Sequence, residues 1–305
     1  MIRIKSTKTI IAFMLIVLFL GTLFLPIISN NSNIKATKTL GGPQNEVEHY
    51  AVFLGLAKYN TYYYDAGYAD VNALSLYEVL KSKPEWKEDN MKILLNEEVT
   101  KTNVFNSIRW LANVSDENDI VLFYFSGHGI KIKHQFNHSR ISNYYLVYGK
   151  YDTVSNTSTD TELAEEFDKI KSNNIAIIFD CCWSARLTSL MKPGRVLIAA
   201  GGKYLSCVAD WNEKLDRGFL TYYLCQGLCG PADKEGNKDG IVSVEEAFYY
   251  ARKRVAIHSF VFHMTLLKSP IEYGRFIATF PWSQIIYMSD KYPGELPLVY
   301  LNTTD

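Results

Sequence analysis

The sequence predicts an α/β fold in which a mostly parallel sheet lies between two layers of helices. Short hydrophobic runs and amphipathic segments alternate along the chain from residue 48 onward. The hydrophobic runs do not alternate apolar with polar residues, which is typical of strands that are covered on both faces. With 305 residues, of which 48% are hydrophobic, the chain is long enough to bury one large core.

The predicted elements follow one another in a regular order. Continuous apolar runs predict the strands, and segments with an apolar residue every three or four positions predict the helices. The first helix, for example, has Ala73, Tyr77 and Leu80 on one face. In chain order we predict strand 49–56, helix 70–81, strand 91–95, helix 101–111, strand 120–125, helix 161–171, strand 175–179, strand 195–200, helix 218–227 and helix 244–255.

Residues 1–28 predict a signal peptide or a transmembrane anchor. Arg3, Lys5 and Lys8 precede a run without charged residues at 10–28. That run is long for a signal peptide and just sufficient to span a bilayer, and the basic flank should stay in the cytoplasm. We therefore expect a membrane-anchored or secreted protein whose main domain is extracytoplasmic, with membrane contact through the N-terminal segment where that segment is retained.

The rest of the chain is predicted to form three parts. Residues 29–47, rich in Asn, Ser, Thr and Gly, are typical of a linker. Residues 48–257 contain the strands and helices of the main domain. Residues 258–305 form a C-terminal extension packed on that domain, and its apolar stretches at 280–288 and 296–301 could add edge strands.

Charge and cysteine content exclude several classes of protein. Acidic and basic residues number 32 each, so the chain has no net charge, and no basic run offers a surface for nucleic acid. Five cysteines, an odd number at positions 181, 182, 207, 225 and 229, do not suit a disulfide scaffold. No histidine is spaced to complete a zinc site with them. We therefore expect no nucleic-acid partner.

Two predicted strands end in reactive side chains. The third strand runs into Ser-Gly-His-Gly at 126–129, and the fourth runs into Asp-Cys-Cys-Trp-Ser at 180–184. Parallel strands end at the same edge of a sheet, where functional sites of α/β folds gather. His128 and Cys182 would there supply a general base and a thiol nucleophile. Taken singly, each residue has a plainer explanation, a turn for His128 and a packed small side chain for Cys182.

The alternation of side chains along a strand selects one of the two adjacent cysteines. Asp180 and Cys182 should point to the same side, while Cys181 points to the opposite side, into the packing layer. Likewise, Ser126 and His128 share a side. Cys182 is therefore the candidate nucleophile, and Cys181 is predicted to be its buried neighbour.

These motifs resemble those of the caspase-like (clan CD) cysteine peptidases, and within them the metacaspase type, which includes prokaryotic members. The separation of 54 residues between His128 and Cys182 agrees with the roughly 50 residues expected for caspases. The resemblance implies a caspase-like three-layer sandwich and covers residues 48 to 256. Besides the two motifs, the likeness rests on residues 50–55, 68–70, 145–147, 160–163, 218–221 and 242–246.

The resemblance also implies roles for individual residues. Cys182 and His128 would form the catalytic dyad, and the backbone N–H groups of Gly129 and Cys182 would stabilise the oxyanion. Asp180 and Ser126 would line the pocket for the substrate side chain that precedes the scissile bond. An acid at position 180 favours arginine or lysine in that pocket.

Three positions depart from the family pattern. Trp183 stands where histidine is usual, and Ala185 stands where glycine is usual. Asn72 occupies a position that is usually acidic in members specific for basic residues. The pocket would therefore carry one acid, Asp180, with Asp70 near it.

A second motif follows the calcium-loop pattern of oxygen ligands. Glu235, Asn237, Asp239 and Glu246 stand at its ligand positions 1, 3, 5 and 12, and the whole EF-hand-like loop is predicted at 233–246. Glutamate is unusual at the first position, where Asp233 could substitute if the loop shifts. The other interpretation is an Asx-rich turn in which Ser243 caps the next helix with Glu246 as its partner. Calcium would not be required for the chemistry.

The sequence as a whole therefore predicts a cysteine endopeptidase that acts on proteins or peptides, with two alternatives. One is a legumain-like peptidase or transamidase, which shares the Gly-His-Gly element. The other is a noncatalytic calcium-binding module at the membrane surface. The polar segment at 131–143, which contains Lys131, Lys133 and Arg140, is predicted to be a loop. This loop and residues 152–160 are candidates for substrate gating or self-cleavage.

Overall fold

The computed structural model describes residues 46–59, 65–136, 139–148, 156–202, 215–266 and 284–301. The chain divides into two units, residues 1–44 and 45–305, and all the described ranges belong to the second unit. The predictions for residues 1–28 and for all but the end of the linker lie outside the described residues. Among the helices in the described ranges, none combines the length and the apolar character needed to cross a membrane.

Strands and helices alternate as the sequence predicts. The strands are β1 (His49–Gly55), β2 (Met91–Leu95), β3 (Ile120–Ser126), β4 (Gly129–Phe136), β5 (Ser139–Val147), β6 (Thr157–Thr159), β7 (Asn174–Asp180), β8 (Arg195–Ala199), β9 (Ile241–Ser243), β10 (Tyr287–Asp290) and β11 (Pro297–Tyr300). The α-helices are α1 (Ala69–Lys81), α2 (Lys101–Val114), α3 (Asp160–Phe167), α4 (Phe219–Leu228), α5 (Pro231–Glu235) and α6 (Val244–Leu266).

A six-stranded sheet with the order β10-β8-β7-β3-β1-β2 forms the centre of the described domain. Its first five strands in the chain pair in parallel, and β10 adds an antiparallel strand at one edge. Parallel strands of this kind are covered on both faces, and every residue of β3 is buried. The predicted α/β fold with a mostly parallel sheet is confirmed.

The two faces of the sheet bury separate sets of side chains. Along β1, Ala51 and Phe53 pack with residues of α1, α4 and α6. Val52 and Leu54 point to the other face and pack with residues of α2 and α3. Because successive side chains of a strand point to opposite faces, this alternation produces the three layers that the sequence predicts.

The predicted polar loop at 131–143 is wrong, because the chain forms a β-hairpin there. Strands β4 and β5 pair from Gly129 with Leu146 to Phe136 with Ser139, and β6 extends this second sheet. Isoleucines at 130 and 132 alternate with lysines, which is the period of a strand with one polar face. The prediction relied on continuous apolar runs and overlooked this shorter period.

Among the described residues near the C-terminus, one helix is longer than the sequence predicts and two strands are present. Helix α6 continues to Leu266, eleven residues beyond the predicted end at Val255, since no glycine or proline interrupts residues 256–266. Strand β11 pairs with β9, and β10 joins the central sheet beside β8. The apolar stretches near the C-terminus thus supply two strands.

Candidate active site

The ends of two neighbouring strands bring the predicted reactive residues to one edge of the sheet. Strands β3 and β7 pair in parallel, with Ser126 directly opposite Asp180. His128 and Cys182 each follow two residues after this pair. Since the register places the ends of both strands at the same level, His128 and Cys182 lie beyond adjacent strand ends at the same edge of the sheet.

The two adjacent cysteines differ in burial as the alternation predicts. Cys181 is buried in the core layer that contains α2 and α3, whereas Cys182 is partly exposed. Because a nucleophile must be accessible to its substrate, Cys182 suits that role and Cys181 does not.

The chain makes a sharp turn directly after Cys182, the candidate nucleophile. Trp183 adopts left-handed backbone angles, with φ 61° and ψ 12°, which are uncommon for a bulky side chain. Ser184 then donates from Oγ to the carbonyl oxygen of Cys181 at 2.8 Å. The N–H of Gly201 donates to the same Oγ at 3.1 Å. These contacts close the turn against the end of β8.

Gly201 is a supporting residue that the sequence analysis did not select. A β-carbon on Gly201 would lie 2.5 Å from the backbone nitrogen of Trp183 and 2.9 Å from the carbonyl oxygen of Cys181. Its own carbonyl oxygen accepts from the N–H of Ala185 at 2.9 Å. Only glycine fits this close approach, and no local sequence signal marks it, because its partners lie about sixteen to twenty residues earlier in the chain.

Tyr59, which follows β1, contacts both the backbone and the ring of His128. The N–H of His128 donates to Tyr59 Oη at 2.7 Å, and the two ring centroids are 4.5 Å apart. A β-carbon on Gly127 would lie 2.7 Å from the same Oη, so glycine leaves the space that Tyr59 occupies. Burial raises the pKa of Tyr59, although the hydrogen bond from the N–H of His128 opposes that shift. Tyr59 contacts His128 and packs in the same core layer as Cys181, so it lies close to both segments of the site.

The two predicted oxyanion donors lie on these same segments. Gly129 opens β4 directly after His128, and pairs with Leu146 of β5. Cys182 occupies the turn after β7. Both backbone N–H groups thus belong to chain segments that leave the sheet at the edge where His128 and Cys182 lie.

The predicted pocket residues Asp180 and Ser126 belong to a buried polar network. Ser126 Oγ lies 3.4 Å from the backbone oxygen of Asp180 and accepts from Asn72 Nδ2 at 3.1 Å. The Asp180 carboxylate accepts from Thr221 Oγ1 at 2.6 Å. Burial raises the pKa of Asp180, although the contacts with Thr221 oppose that shift. The site therefore holds a carboxyl group with little access to water.

Asn72 and Gly218 connect this network to the start of α4. The N–H of Gly218 donates to Asn72 Oδ1 at 2.8 Å. A β-carbon on Gly218 would lie 2.9 Å from Asp180 Oδ2, so any larger residue would displace the carboxylate. Asn72 uses its amide oxygen and its amide nitrogen in these contacts, so this neutral side chain bridges Ser126 and Gly218.

Asp70 takes part in a neighbouring network. Its carboxylate accepts from Asn96 Nδ2 at 3.0 Å and from the backbone N–H of Val71 at 2.8 Å. Asn96 Oδ1 in turn accepts from the N–H groups of Ala57 and Lys58, at 3.1 and 3.0 Å. Asp70 thus helps to hold the segment that leads from β1 to Tyr59, and its role in substrate binding stays a prediction.

The calcium-loop motif adopts a capped turn between α5 and α6. Glu235 is the last residue of α5 and forms an ion pair with Arg254 of α6. The carboxylate of Glu246 accepts from the N–H groups of Asn237 and Ser243, at 2.8 and 3.2 Å. The N–H of Glu246 donates to Ser243 Oγ at 3.0 Å, which completes the capping box that the sequence also allows.

The remaining acidic groups of this loop satisfy its backbone. Asp239 Oδ1 accepts from the N–H of Ile241 at 2.9 Å, and the buried Asp233 accepts from Gly240 at 3.3 Å. Across the described ranges, no group of three or more His, Cys, Asp or Glu side chains is arranged to hold a metal ion. The side chains as placed do not form a calcium cage, so calcium binding stays a prediction and no chemical step depends on it.

A parallel sheet with helices on both faces, and with histidine and cysteine at adjacent strand ends, defines the class of caspase-like cysteine peptidases. The family model described as metacaspase, peptidase C14 domain, matches residues 34–191, which is just over half of the chain. The chain belongs to this metacaspase family. Membership makes it a cysteine peptidase of the caspase-like type, with proteins or peptides as substrates.

Solved structures support the fold. The chain is similar to the crystal structure of protein GSU0716 from Geobacter sulfurreducens, with a TM-score of 0.56 and 12% sequence identity. The similarity covers 84% of this chain and 100% of that one. No curated protein matches the sequence significantly.

Proposed function

We propose that the chain is an endopeptidase that uses a Cys182/His128 dyad and cleaves after a basic residue. The observation that carries this proposal is the register of β3 and β7. Ser126 pairs with Asp180, so the two candidate catalytic residues follow the same level of adjacent strands. The family to which the chain belongs supports peptide-bond hydrolysis as the reaction.

The proposed reaction has two stages. The Cys182 thiol transfers its proton to His128, and the thiolate attacks the scissile carbonyl carbon. The N–H groups of Gly129 and Cys182 stabilise the oxyanion that forms. His128 then returns the proton to the leaving amine as the C–N bond breaks, which leaves a thioester on Cys182.

The second stage restores the enzyme. A water molecule loses a proton to His128 and attacks the thioester carbonyl. Collapse of the second tetrahedral intermediate breaks the C–S bond and releases the new carboxyl end of the substrate. His128 returns the proton to the Cys182 thiolate, so protons and electrons balance over the cycle.

Asp180 is the proposed source of the preference for arginine or lysine. Its carboxyl group is buried beside neutral polar partners, and burial raises its pKa. An ammonium or guanidinium group in contact with it would favour the ionised form. A neutral side chain would leave the carboxyl group without this compensation, so a cationic substrate gains most from the pocket.

Hydrolysis of fluorogenic peptides that end in Arg, Lys, Asn or Asp tests the proposal. We expect the full-length protein to cleave after Arg or Lys, and the Cys182→Ala and His128→Ala variants to be inactive. Cleavage after Asn would favour the legumain-like alternative. Absence of cleavage in the wild type, together with a Cys182 that resists alkylation in the folded protein, would favour the noncatalytic module.

Two predictions stand apart from this chemistry. Placement of the domain outside the cytoplasm, membrane-anchored or secreted, rests on residues 1–28 alone. Calcium binding rests on the 233–246 motif, in which Asp233 rather than Glu235 points its carboxylate toward the loop glycine.

A further inference from the structure

A closed set of hydrogen bonds surrounds the backbone of His128. Its N–H donates to Tyr59 Oη at 2.7 Å, and its carbonyl oxygen accepts from the N–H of Val147 at 3.1 Å. Tyr59 Oη donates in turn to the carbonyl oxygen of Val147 at 3.4 Å. The backbone N–H of His128 is therefore bonded to Tyr59, and its carbonyl oxygen is bonded to Val147 of β5.

The phenol of Tyr59 is suited to this double role. Only 4% of Tyr59 is exposed, and burial raises the pKa of its hydroxyl, so the group stays protonated at physiological pH. A neutral hydroxyl can accept from His128 and donate to Val147 at the same time. Phenylalanine would preserve the shape of the ring and remove both contacts.

The ring of Tyr59 also contacts the imidazole itself. The centroids of the Tyr59 and His128 rings are 4.5 Å apart, with an angle of 39° between the planes. Packing against the ring of Tyr59 therefore limits the orientations open to the imidazole of His128.

The chain holds Tyr59 in place from two sides. Its backbone N–H donates to Asp65 Oδ1 at 3.1 Å, and its side chain packs within the core layer of α2 and α3. Gly127 leaves the necessary space, because a β-carbon there would lie 2.7 Å from Tyr59 Oη. The position of the hydroxyl is therefore set by the fold before any substrate binds.

We propose that Tyr59 is the positioning residue of the Cys182/His128 dyad, fixing the backbone of His128 through its hydroxyl and the imidazole through its ring. This inference rests on the proposed function. Cysteine nucleophiles need a base that is oriented by a third group. Tyr59 supplies that orientation from the segment that follows β1, by acting on His128 rather than on the substrate.

Three variants separate the hydroxyl, the ring and general stability. Tyr59→Phe removes the hydroxyl, and Tyr59→Leu removes both hydroxyl and ring. Tyr148→Phe is the matched control, because Tyr148 is also buried but its hydroxyl lies 2.6 Å from Ser158 Oγ and not on the backbone of His128. For each full-length variant we would measure kcat, KM and the pH dependence of the alkylation rate of Cys182 by iodoacetamide, read on the Cys182 peptide by mass spectrometry.

We expect Tyr59→Phe to lower kcat by about 10- to 100-fold with KM nearly unchanged, since a small displacement of a catalytic group has an effect of this size. The pH midpoint of Cys182 alkylation should rise, because a poorly placed His128 stabilises the thiolate less. Tyr59→Leu should shift that midpoint further. Tyr148→Phe should lower the unfolding temperature while keeping the wild-type kcat and alkylation midpoint.

Two results would overturn the inference while leaving the proposed function intact. One is an active wild type in which Tyr59→Phe keeps the full kcat and the same alkylation midpoint. The other is an equal loss of kcat in Tyr59→Phe and Tyr148→Phe, which would indicate a general structural effect. A wild type that neither cleaves peptides nor shows a reactive Cys182 would instead reject the proposed function, and the inference with it.

Discussion

Ser126 and Asp180 lie directly opposite each other in the register of β3 and β7. This single pairing determines the geometry of the candidate site, because His128 and Cys182 each follow it by two residues. The same two residues belong to the buried polar network, in which Ser126 contacts Asn72 and Asp180 contacts Thr221. The proposed nucleophile, base and specificity pocket are therefore placed by the ends of two adjacent strands.

Replacement of Asp180 by asparagine should remove the preference for basic residues. Asparagine keeps the size of the side chain and can still accept from Thr221 Oγ1. It lacks the charge that pairs with arginine or lysine, so kcat/KM for such peptides should fall by roughly 100-fold or more. The measurement is kcat/KM for matched peptides ending in Arg and in a neutral residue.

The same variant should not lose stability at neutral pH. Burial raises the pKa of Asp180 in the folded state, so the charged form opposes folding once the pH exceeds its unfolded pKa. Asp119→Asn is the control, because Asp119 is also buried and its carboxylate accepts from the N–H groups of Glu48 and Asp116 at the other end of β3. An Asp180→Asn variant that keeps the preference for arginine would reject Asp180 as the specificity residue.

Replacement of Gly201 by alanine should disturb the turn that presents Cys182. The added β-carbon would lie 2.5 Å from the nitrogen of Trp183, which must move. We expect about 1–3 kcal/mol of destabilisation and a loss of kcat of at least about 10-fold. Urea unfolding and peptide hydrolysis measure the two effects.

Gly227→Ala provides a comparison for this variant. Its β-carbon would lie 3.1 Å from the ring of Tyr250 on α6, so the added methyl group meets a side chain of another helix and not the turn after Cys182. It should change stability without a change in kcat. If Gly201→Ala folds and cleaves like the wild type, the turn does not depend on this close approach.

Stability should fall as the pH rises from about 4.5 to about 7 because of Glu245. Burial raises the pKa of Glu245 to about 7, with further contributions from Asp290 and Glu295, although N–H donors that include Leu296 oppose them. A carboxyl group whose pKa is raised in the folded state stabilises the fold below its unfolded pKa, and this contribution is lost between about pH 4.5 and 7. Glu245→Gln should remove that dependence and raise stability at pH 8 by up to about 3 kcal/mol.

Glu166→Gln should show the opposite sign. Contact with Arg109 lowers the pKa of Glu166 to about 2, so its charged form stabilises the fold above its unfolded pKa and loses this effect as the pH falls toward 2. At pH 8 this variant should therefore be less stable than the wild type. Chemical unfolding at pH 5 and pH 8 tests both glutamates, and equal behaviour of the two variants would contradict the account.

The positions of the strands and of the reactive residues follow from the sequence because the signals are local. The run from Ile120 to Phe125 leads without interruption into His128, and the run from Ile175 to Phe179 leads into Cys182. Apolar runs and strand alternation are read over a few residues. They sufficed to order the strands along the chain and to select Cys182 over Cys181.

The supporting residues could not be predicted because their contacts are distant in the chain. Tyr59 meets His128 across 69 residues, and Gly218 meets Asn72 across 146. Neither pair has a spacing that a single sequence can reveal. The hairpin of β4 and β5 was missed for another reason, since its alternating lysines and isoleucines resembled a polar loop when only continuous apolar runs were counted.

The most direct test of the central claim is to label the full-length protein with a peptidyl acyloxymethyl ketone that ends in arginine and to locate the adduct by mass spectrometry. We predict one adduct, on Cys182, that is lost in His128→Ala and strongly reduced in Asp180→Asn. An adduct on Cys181 or Cys229, or faster labelling by the corresponding asparagine probe, would contradict the assignment of nucleophile and pocket.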